Sequence, residues 1–444
     1  MSNTSLDKLK LLYKGKRVLI VGLGLQGGGL AATRFFAKLG AKITVTDLKS
    51  KEQLLPTLSE LKGLSIDFVL GEHRMKDFLL ADLIIKGPSV RWDLPELVAA
   101  EKAKIPIDME AAFFTSICQA PIVGVTGTRG KSTTANLIYK VLKDNNIGVH
   151  LGGNLPNASP LGMYDNIKSN DWVVLELSSW QLSGFHRRKI SPHISVFTNL
   201  YPDHLNYYQS MEEYYNDKKA VFQYQKDTDY TIFNKRYLNL LGDKHGKLIL
   251  YGKNNVDFSI MSLSGEHNRE NVAACLATIK LIGIDKYKAK SSINHFLPLT
   301  GRLQTIKKIN NITFVNDTTA TTPVATIKAV QTYKNNRIIL ILGGNSKQLP
   351  FDELIPELSK VKKIFLLKGT LTDLIHPMLK ELYQDKISQI YDDLSLAVKE
   401  AYRVGKETND PVVILLSPGA TSFAMFANEF ERGSAFNKVV DQLK

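Results

Sequence analysis

Short apolar runs recur along this chain, separated by stretches whose apolar residues fall at helical spacing. Runs at 17–21, 43–47, 66–70, 82–85 and 105–108 open the chain. Others follow at 122–125, 172–177, 193–200, 230–233 and 247–251, and again at 311–315, 337–342, 363–367 and 412–416. Between them, Leu30, Phe35, Phe36 and Leu39 mark a helix stopped by Gly40, and Ala135, Leu137, Ile138, Val141 and Leu142 mark another. Further helices are predicted over 211–224, over 272–282 and from Pro323, a residue suited to a first helical turn. Strands alternating with helices predict α/β units with mostly parallel sheets. No solenoid-type repeat is present. The rhythm divides into three domains in series, over 1–115, 116–298 and 299–444.

Composition agrees with a packed, water-soluble protein: 444 residues, 44% hydrophobic and 23% charged. No apolar run approaches the ~18 residues of a membrane span, and the first ten residues, Met1 to Lys10, lack the apolar segment of a secretory signal. Cys118 and Cys275 are too far apart in sequence for a disulfide framework or a metal knuckle. A cytoplasmic protein without stable membrane insertion is expected. The net charge of +14 would suit nucleic acid, but the lysines are dispersed; the pairs Lys307-Lys308 and Lys362-Lys363 are the densest cases. With no basic stripe interleaved with aromatics, no nucleic-acid partner is expected, and small anionic ligands fit the charge instead.

The chemistry starts at Pro121-Ile-Val-Gly-Val-Thr-Gly-Thr-Arg-Gly-Lys-Ser-Thr-Thr134. A buried strand runs into a glycine-rich turn and then into a helix. Such a turn lets backbone N–H groups converge on phosphate oxygens, and the helix N-terminus adds positive potential. Lys131 would reach the terminal phosphates of a nucleoside triphosphate, with a neighbouring hydroxyl on Mg2+. The glycines fall at Gly124, Gly127 and Gly130, so Val125 occupies the place of the usual first glycine. Gly22-Leu-Gly-Leu-Gln-Gly27 is a second glycine turn, with Asp47 standing 20 residues beyond Gly27 at the end of the next strand. That spacing predicts a Rossmann-like unit with a diphosphate or ribose near its first helix. Glu176 and His204 lie at or near strand ends in the central segment, where α/β sheets bind ligands, and are candidates for a Mg2+ site beside the phosphates.

Taken together these motifs resemble the Mur ligases, the ATP-dependent amino-acid-adding enzymes of peptidoglycan precursor synthesis. The resemblance covers essentially the whole chain. It rests on Thr126 to Thr133, Leu175-Glu-Leu-Ser-Ser-Trp-Gln181, Asn199-Leu-Tyr-Pro-Asp-His-Leu205 and Gly265-Glu-His-Asn-Arg-Glu-Asn271. Gly301-Arg302, Asn316-Asp317, Leu342-Gly-Gly-Asn-Ser-Lys347, Ser417-Pro-Gly-Ala-Thr-Ser-Phe423 and Phe430-Glu-Arg-Gly433 extend it. It implies a Rossmann-like N-terminal domain, a central P-loop-type ATPase domain and a C-terminal Rossmann-like domain. It also implies a reaction: a substrate carboxylate attacks the γ-phosphate of ATP, and the resulting acyl phosphate is displaced by an amino acid's amine. UDP-N-acetylmuramoyl-L-alanine would be the donor, and D-glutamate the incoming amino acid. Another amino acid, L-glutamate for example, and folylpolyglutamate synthesis, which uses a related central domain, are the alternatives.

The resemblance also assigns roles. Gly127, Thr128, Arg129, Gly130, Lys131, Ser132 and Thr133 would hold the ATP phosphates, Asn268 and Asn271 the adenine side, and Arg302 and Asp317 the phosphate and ribose. Two Mg2+ sites would draw on Ser132, Thr133, Glu176, His204 and Lys218, the last aligned with a lysine that CO2 carbamylates; Lys219 is the alternative. Leu25, Gln26, Asp47, Gly71, Asn154, Ser178 and Gln181 would face the UDP-substrate, and Thr321, Lys347, Ser422 and Phe423 the incoming amino acid. The chain departs from the family at Gly301, where His is usual, and at Gln304, where Glu is usual. It departs again at Thr319, which replaces an acceptor-site lysine, and at Asn206 and Tyr207. The choice between D- and L-glutamate therefore stays open. A monomer acting on small molecules is expected, with Arg302, Asp317 and Lys347 approaching Lys131 on closure.

Overall fold

A computed structural model of the chain describes residues 3–155, 157–204, 207–242, 245–256, 263 and 265–443. Three sheets follow one another along it. The first has five parallel strands, β1 (Arg17–Val21), β2 (Lys42–Asp47), β3 (Ile66–Leu70), β4 (Leu83–Lys86) and β5 (Ile107–Met109), in the order β3-β2-β1-β4-β5. The order reverses between β1 and β4, so a crevice opens at the carboxyl end of β1, where the glycine turn lies.

The second sheet is also parallel: β6 (Ile122–Thr126), β7 (Val149–Gly153), β8 (Trp172–Glu176), β9 (Ile194–Phe197), β10 (Tyr230–Asn234) and β11 (Lys247–Tyr251), in the order β11-β10-β9-β6-β8-β7. The phosphate loop leaves β6, and its neighbours β8 and β9 end beside it. β6, β8 and β9 are buried on both faces, as the unbroken apolar runs required.

These first two sheets are joined by one hydrophobic core. Phe35, Phe36, Phe113 and Phe114, from helices around the first sheet, pack with Leu161, Leu182 and Phe185 around the second sheet, and the Phe35 and Tyr164 rings meet edge to face at 5.4 Å. The described residues form two compact units, the first holding the first two sheets and the second the third sheet. One takes in Met1–Leu200, Glu212–Gly252 and Val272–Ser292; the other takes in Tyr201–Met211, Lys253–Asn271 and Ile293–Lys444.

The second unit holds the third sheet: β12 (Gln304–Ile309), β13 (Ile312–Asn316), β14 (Arg337–Gly343), β15 (Lys363–Leu367), β16 (Ile387–Tyr391) and β17 (Val412–Leu416), ordered β12-β13-β17-β14-β15-β16. All neighbours are parallel except β12 and β13, a hairpin with Asn310 in the left-handed region. Among the described residues no helix is long and apolar enough to cross a membrane.

The apolar runs located the buried strands but not β7, β12 and β16. All three are sheet edges with mostly half-exposed side chains, so they carry no continuous apolar signal. Two helices differ from their predicted spans. The one from Met211 ends at Lys219, after which tight i→i+3 turns bury Val221 and Phe222. The one predicted from Val272 begins earlier, at Glu266, directly after Gly265 with φ 91°.

Candidate active site

The phosphate loop is held by bonds from a neighbouring strand. Gly127 has φ 141°, and a Cβ there would overlap Thr198 Oγ1 beyond β9. The Thr198 hydroxyl donates to the Arg129 carbonyl at 2.7 Å. Asn199 accepts from the Arg129 amide at 2.8 Å and donates back to the Arg129 carbonyl at 3.0 Å, while its own carbonyl takes the Thr128 N–H at 2.9 Å. Gly130, left-handed at φ 80°, then starts the helix Lys131–Asp144 with Ser132 and Thr133 buried in its first turn. Here the helix N-terminus and the loop amides favour anions.

Two ammonium groups converge on this loop. Lys131 Nζ donates to the carbonyls of Gly127 at 3.1 Å and Thr128 at 3.0 Å. Lys218 Nζ, on a side chain only 1% exposed, donates to the same Gly127 carbonyl at 3.0 Å and lies 4.6 Å from the Tyr214 ring centre. Successive helix positions are ~100° apart, and Lys219 turns instead to Tyr215, 5.5 Å from that ring. Lys218 is thus the lysine at the loop.

Glu176 ends β8 on the other side. Its Oε1 accepts from Asn154 Nδ2 at 3.1 Å, and its carbonyl accepts from the Asn154 amide at 2.8 Å. Gly153, at φ 102°, permits that approach, since a Cβ would strike the Glu176 carbonyl. Among the described residues the buried Glu176 Oε2 has no hydrogen-bond partner. A buried carboxylate oxygen left open next to a phosphate loop suits a hard divalent cation, and Mg2+, which keeps several waters, needs few protein oxygens. Ser178 and Gln181 stand at the start of the helix after β8. They form a capping box on the helix Ser179–Arg188, with the Gln181 amide donating to Ser178 Oγ at 3.2 Å and the Ser178 amide to Gln181 Oε1 at 3.0 Å.

At the first sheet, Asp47 holds the glycine turn. Its carboxylate accepts from the Gly24 amide at 3.0 Å and the Lys49 amide at 2.9 Å. Leu25 and Gln26 are exposed at the tip of the turn. Gly71, at φ 85°, follows β3 with its amide on the Asp47 carbonyl at 2.8 Å. The close packing of helix on strand falls to Gly29, where a Cβ would overlap the Leu23 and Gly22 carbonyls, and Gly27 is the left-handed residue before the helix. Beside this turn stands Glu110, which accepts from the Ser159 hydroxyl and, at 3.0 Å, from the Leu161 amide. Burial pushes the Glu110 carboxyl up to about 7, against the pull of those two donors.

The second unit carries the remaining candidates. His204 has φ 56°, and its amide donates to Asp203 Oδ1 at 2.9 Å. Asp203 is buried and also pairs with Lys347, whose Nζ lies 3.4 Å from the same oxygen. Asn271 Nδ2 donates to Asn268 Oδ1 at 3.0 Å at the start of the helix Glu266–Leu281. The Asp317 carboxylate takes the Leu303 amide at 3.1 Å and the Ser417 hydroxyl at 2.9 Å, which sets the turn carrying Arg302. The departures form one knot: Gln304 Oε1 accepts from the Gly301 amide at 3.0 Å, and the Gly301 carbonyl accepts from Thr319 Oγ1 at 2.9 Å. Gly301 has φ 70°, and a Cβ there would come within 2.6 Å of Thr318 Cγ2, so histidine does not fit this turn. Thr321 is half-buried, Ser422 is 4% exposed and Phe423 is 67% exposed. Leu205 and Asn206 of the histidine motif lie outside the described residues.

Sequence reasoning did not single out Thr198, the bracing role of Asn199, Glu110 or Arg432. Polar residues next to strand ends were the available signal, but their partners are far away in the chain.

Comparison with known proteins agrees with this arrangement. Three domain models match in series: Mur ligase MurD-like, N-terminal domain over residues 16–108, Mur ligase middle domain over 125–261, and Mur ligase, glutamate ligase domain over 301–418. The UDP-N-acetylmuramoylalanine–D-glutamate ligase of Roseiflexus sp. (strain RS-1) is 34% identical, over 96% of this chain and 98% of that one. Its namesake in Borreliella afzelii (strain PKo) is 34% identical over 99% of each chain. Among solved structures, a UDP-N-acetylmuramate-alanine ligase from Thermotoga maritima superposes with a TM-score of 0.61 at 19% identity, covering 96% of this chain and 99% of that one. A MurF ligase from the same organism, in complex with ADP, gives 0.60 at 17% identity, covering 98% and 97%. At such identities the structural likeness is one of fold, whereas the full-length relatives and the three ordered domain matches carry more: the chain belongs to the Mur ligase family.

Proposed function

We propose that this chain is the ATP-dependent ligase that joins D-glutamate to UDP-N-acetylmuramoyl-L-alanine, releasing ADP and phosphate, in peptidoglycan precursor synthesis. The observation that carries the reading is the meeting of Lys131 and Lys218 on the Gly127 carbonyl. A carboxylate attacking a γ-phosphate brings several anions together, so the site must neutralise charge and fix position. Lys131 and the amides of residues 127–133 serve the phosphates in this scheme. Glu176 Oε2 and the hydroxyls of Ser132 and Thr133 would hold Mg2+, with His204 as the ligand of a second ion, and the ion would supply positive charge to neutralise the phosphates.

Lys218 as an ammonium would oppose a cation there. As a carbamate it would become anionic and could face the metal; burial disfavours the ammonium, and the modified group would have to exchange the present contacts with the Gly127 carbonyl and the Tyr214 ring. Asn268, Asn271, Arg302 and Asp317 are assigned to ATP. Leu25, Gln26, Asp47, Gly71, Asn154, Ser178 and Gln181 are assigned to the UDP-substrate. Thr321, Lys347, Ser422 and Phe423 are assigned to the incoming amino acid. The reading places domain boundaries near 115/116 and 298/299 and the protein in the cytoplasm as a monomer.

The decisive measurement is ADP release with UDP-N-acetylmuramoyl-L-alanine against a panel of D- and L-amino acids. Stimulation by D-glutamate is expected, and stimulation by another amino acid or by none would overturn the assignment. For the carbamate, Lys218→Ala should lose turnover and regain part of it when short-chain carboxylates are added. An intact-mass spectrum without the CO2 adduct, together with failed rescue, would remove that role.

A further inference from the structure

Arg432 lies in the helix Glu429–Gln442 with a side chain only 1% exposed. Its Nε donates to Thr318 Oγ1 at 3.1 Å, and its Nη2 donates to the carbonyls of Thr318 at 2.8 Å and Ala420 at 3.2 Å. The first partner follows β13 and the second follows β17, two adjacent strands of the third sheet. One planar guanidinium therefore ties together the turn 317–322 and the turn 417–423. The tie is extended on both sides: Thr318 Oγ1 donates to the Glu429 carbonyl at 2.8 Å, and Asn316 Nδ2 donates to the Gly433 carbonyl at 3.0 Å.

Burying a guanidinium is costly, and carbonyl partners do not cancel its charge. Among the described residues Arg432 makes no ion pair; Glu429 is the acid that favours its charged form. Burial lowers it to about 10, so it stays cationic at neutral pH. Two residues beyond Ala420, Ser422 is 4% exposed, and its Oγ has no hydrogen-bond partner among the described residues. A buried cation and an open buried hydroxyl on the two turns are what an anionic ligand would use.

We infer that Arg432 is the positioning residue of the acceptor site, holding the two turns at one spacing and keeping a positive charge beneath them for a dicarboxylic amino acid. This rests on the assignment of those turns to the incoming amino acid. Lysine is a point donor and cannot span both turns as the fork does.

The test uses the full chain and initial rates with each of the three substrates varied in turn, for wild type, Arg432→Lys, Arg432→Met and the milder Thr318→Val. Both arginine variants should raise the KM for D-glutamate about tenfold or more, with Arg432→Met the worse, while the KM values for ATP and the UDP-substrate stay within about twofold. Thr318→Val, which removes the hydroxyl that accepts from Arg432 and donates to the Glu429 carbonyl but keeps the cation, should raise the D-glutamate KM about threefold. Should the arginine variants not fold, Thr318→Val carries the test alone. An unchanged D-glutamate KM in folded variants, or three KM values moving together, overturns the role. Wild-type turnover with D-glutamate separates the two readings: if a different amino acid supports turnover, the assignment of D-glutamate fails and the same series is read with that amino acid. If none does, both fall.

Discussion

Two glycine turns in the first compact unit have nearly the same backbone plan and opposite electrostatics. Each leaves a buried parallel strand, and each starts its helix from a left-handed glycine, Gly27 at φ 93° and Gly130 at φ 80°. The first is braced by an acid: Asp47 holds the Gly24 amide, and Thr57 Oγ1 donates to the Gly24 carbonyl at 2.8 Å. The second is braced by the neutral Thr198 and Asn199 and faces the ammonium groups of Lys131 and Lys218. On the proposed assignment, a glycine turn and a helix start are what seat a diphosphate that is merely carried. On the same assignment a fixed ammonium, that of Lys131, is added where phosphate charge must be redistributed during a reaction.

The largest expected effect separates the turns by chemistry. Lys131→Ala should lower the rate of ADP release by about 1,000-fold or more while leaving UDP-substrate affinity, read by calorimetry, almost unchanged. Asp47→Ala should do the converse, weakening UDP-substrate binding with little change in kcat. If Lys131→Ala weakened UDP-substrate binding as much as turnover, the division of labour would be wrong.

Packing gives the next effect. Gly29→Ala forces a methyl group against the Leu23 and Gly22 carbonyls, so about 2–3 kcal/mol of stability should be lost in urea unfolding. Gly28→Ala, whose Cβ would come no closer than 3.2 Å to Glu110 Oε2, should cost less.

Asn199→Ala should be smaller again. It removes one acceptor and one donor from the phosphate loop, and about 1–2 kcal/mol should be lost. That loss should show in kcat/KM for ATP and not for the UDP-substrate.

The smallest effect is one of pH and belongs to the first turn. Burial raises the Glu110 carboxyl from 4.5 to about 7. Between those values the folded chain holds a proton that the unfolded chain has released, so stability contributed by this group falls as pH rises through the window. Glu110→Gln, titrating in neither state, should flatten the decline in Tm across it. An unchanged slope would show that other groups set the pH dependence.

Much of this was legible in the sequence. The parallel strands are unbroken apolar runs, and the two turns announce themselves by glycine spacing. Less legible were the edges β7, β12 and β16, whose side chains are only partly buried. The braces were not legible either. Asn199 acts 70 residues from Arg129, and Arg432 acts 114 residues from Thr318. The Ser178–Gln181 capping box became visible only in the structure, beside the substrate role assigned to those residues.

What the sequence determined alone was therefore local: the α/β class, the order of the sheets, the two glycine turns and Lys131. These depend on periodicity and backbone freedom over a few residues. The tertiary structure decided what depends on long-range packing. It placed Lys218 rather than Lys219 at the loop by helix phase, left Glu176 Oε2 open beside the loop, packed the first two sheets against one shared core, and tied the turns after β13 and β17 to a buried guanidinium. Burial and partner choice are properties of the packed molecule, and a single chain segment does not carry them.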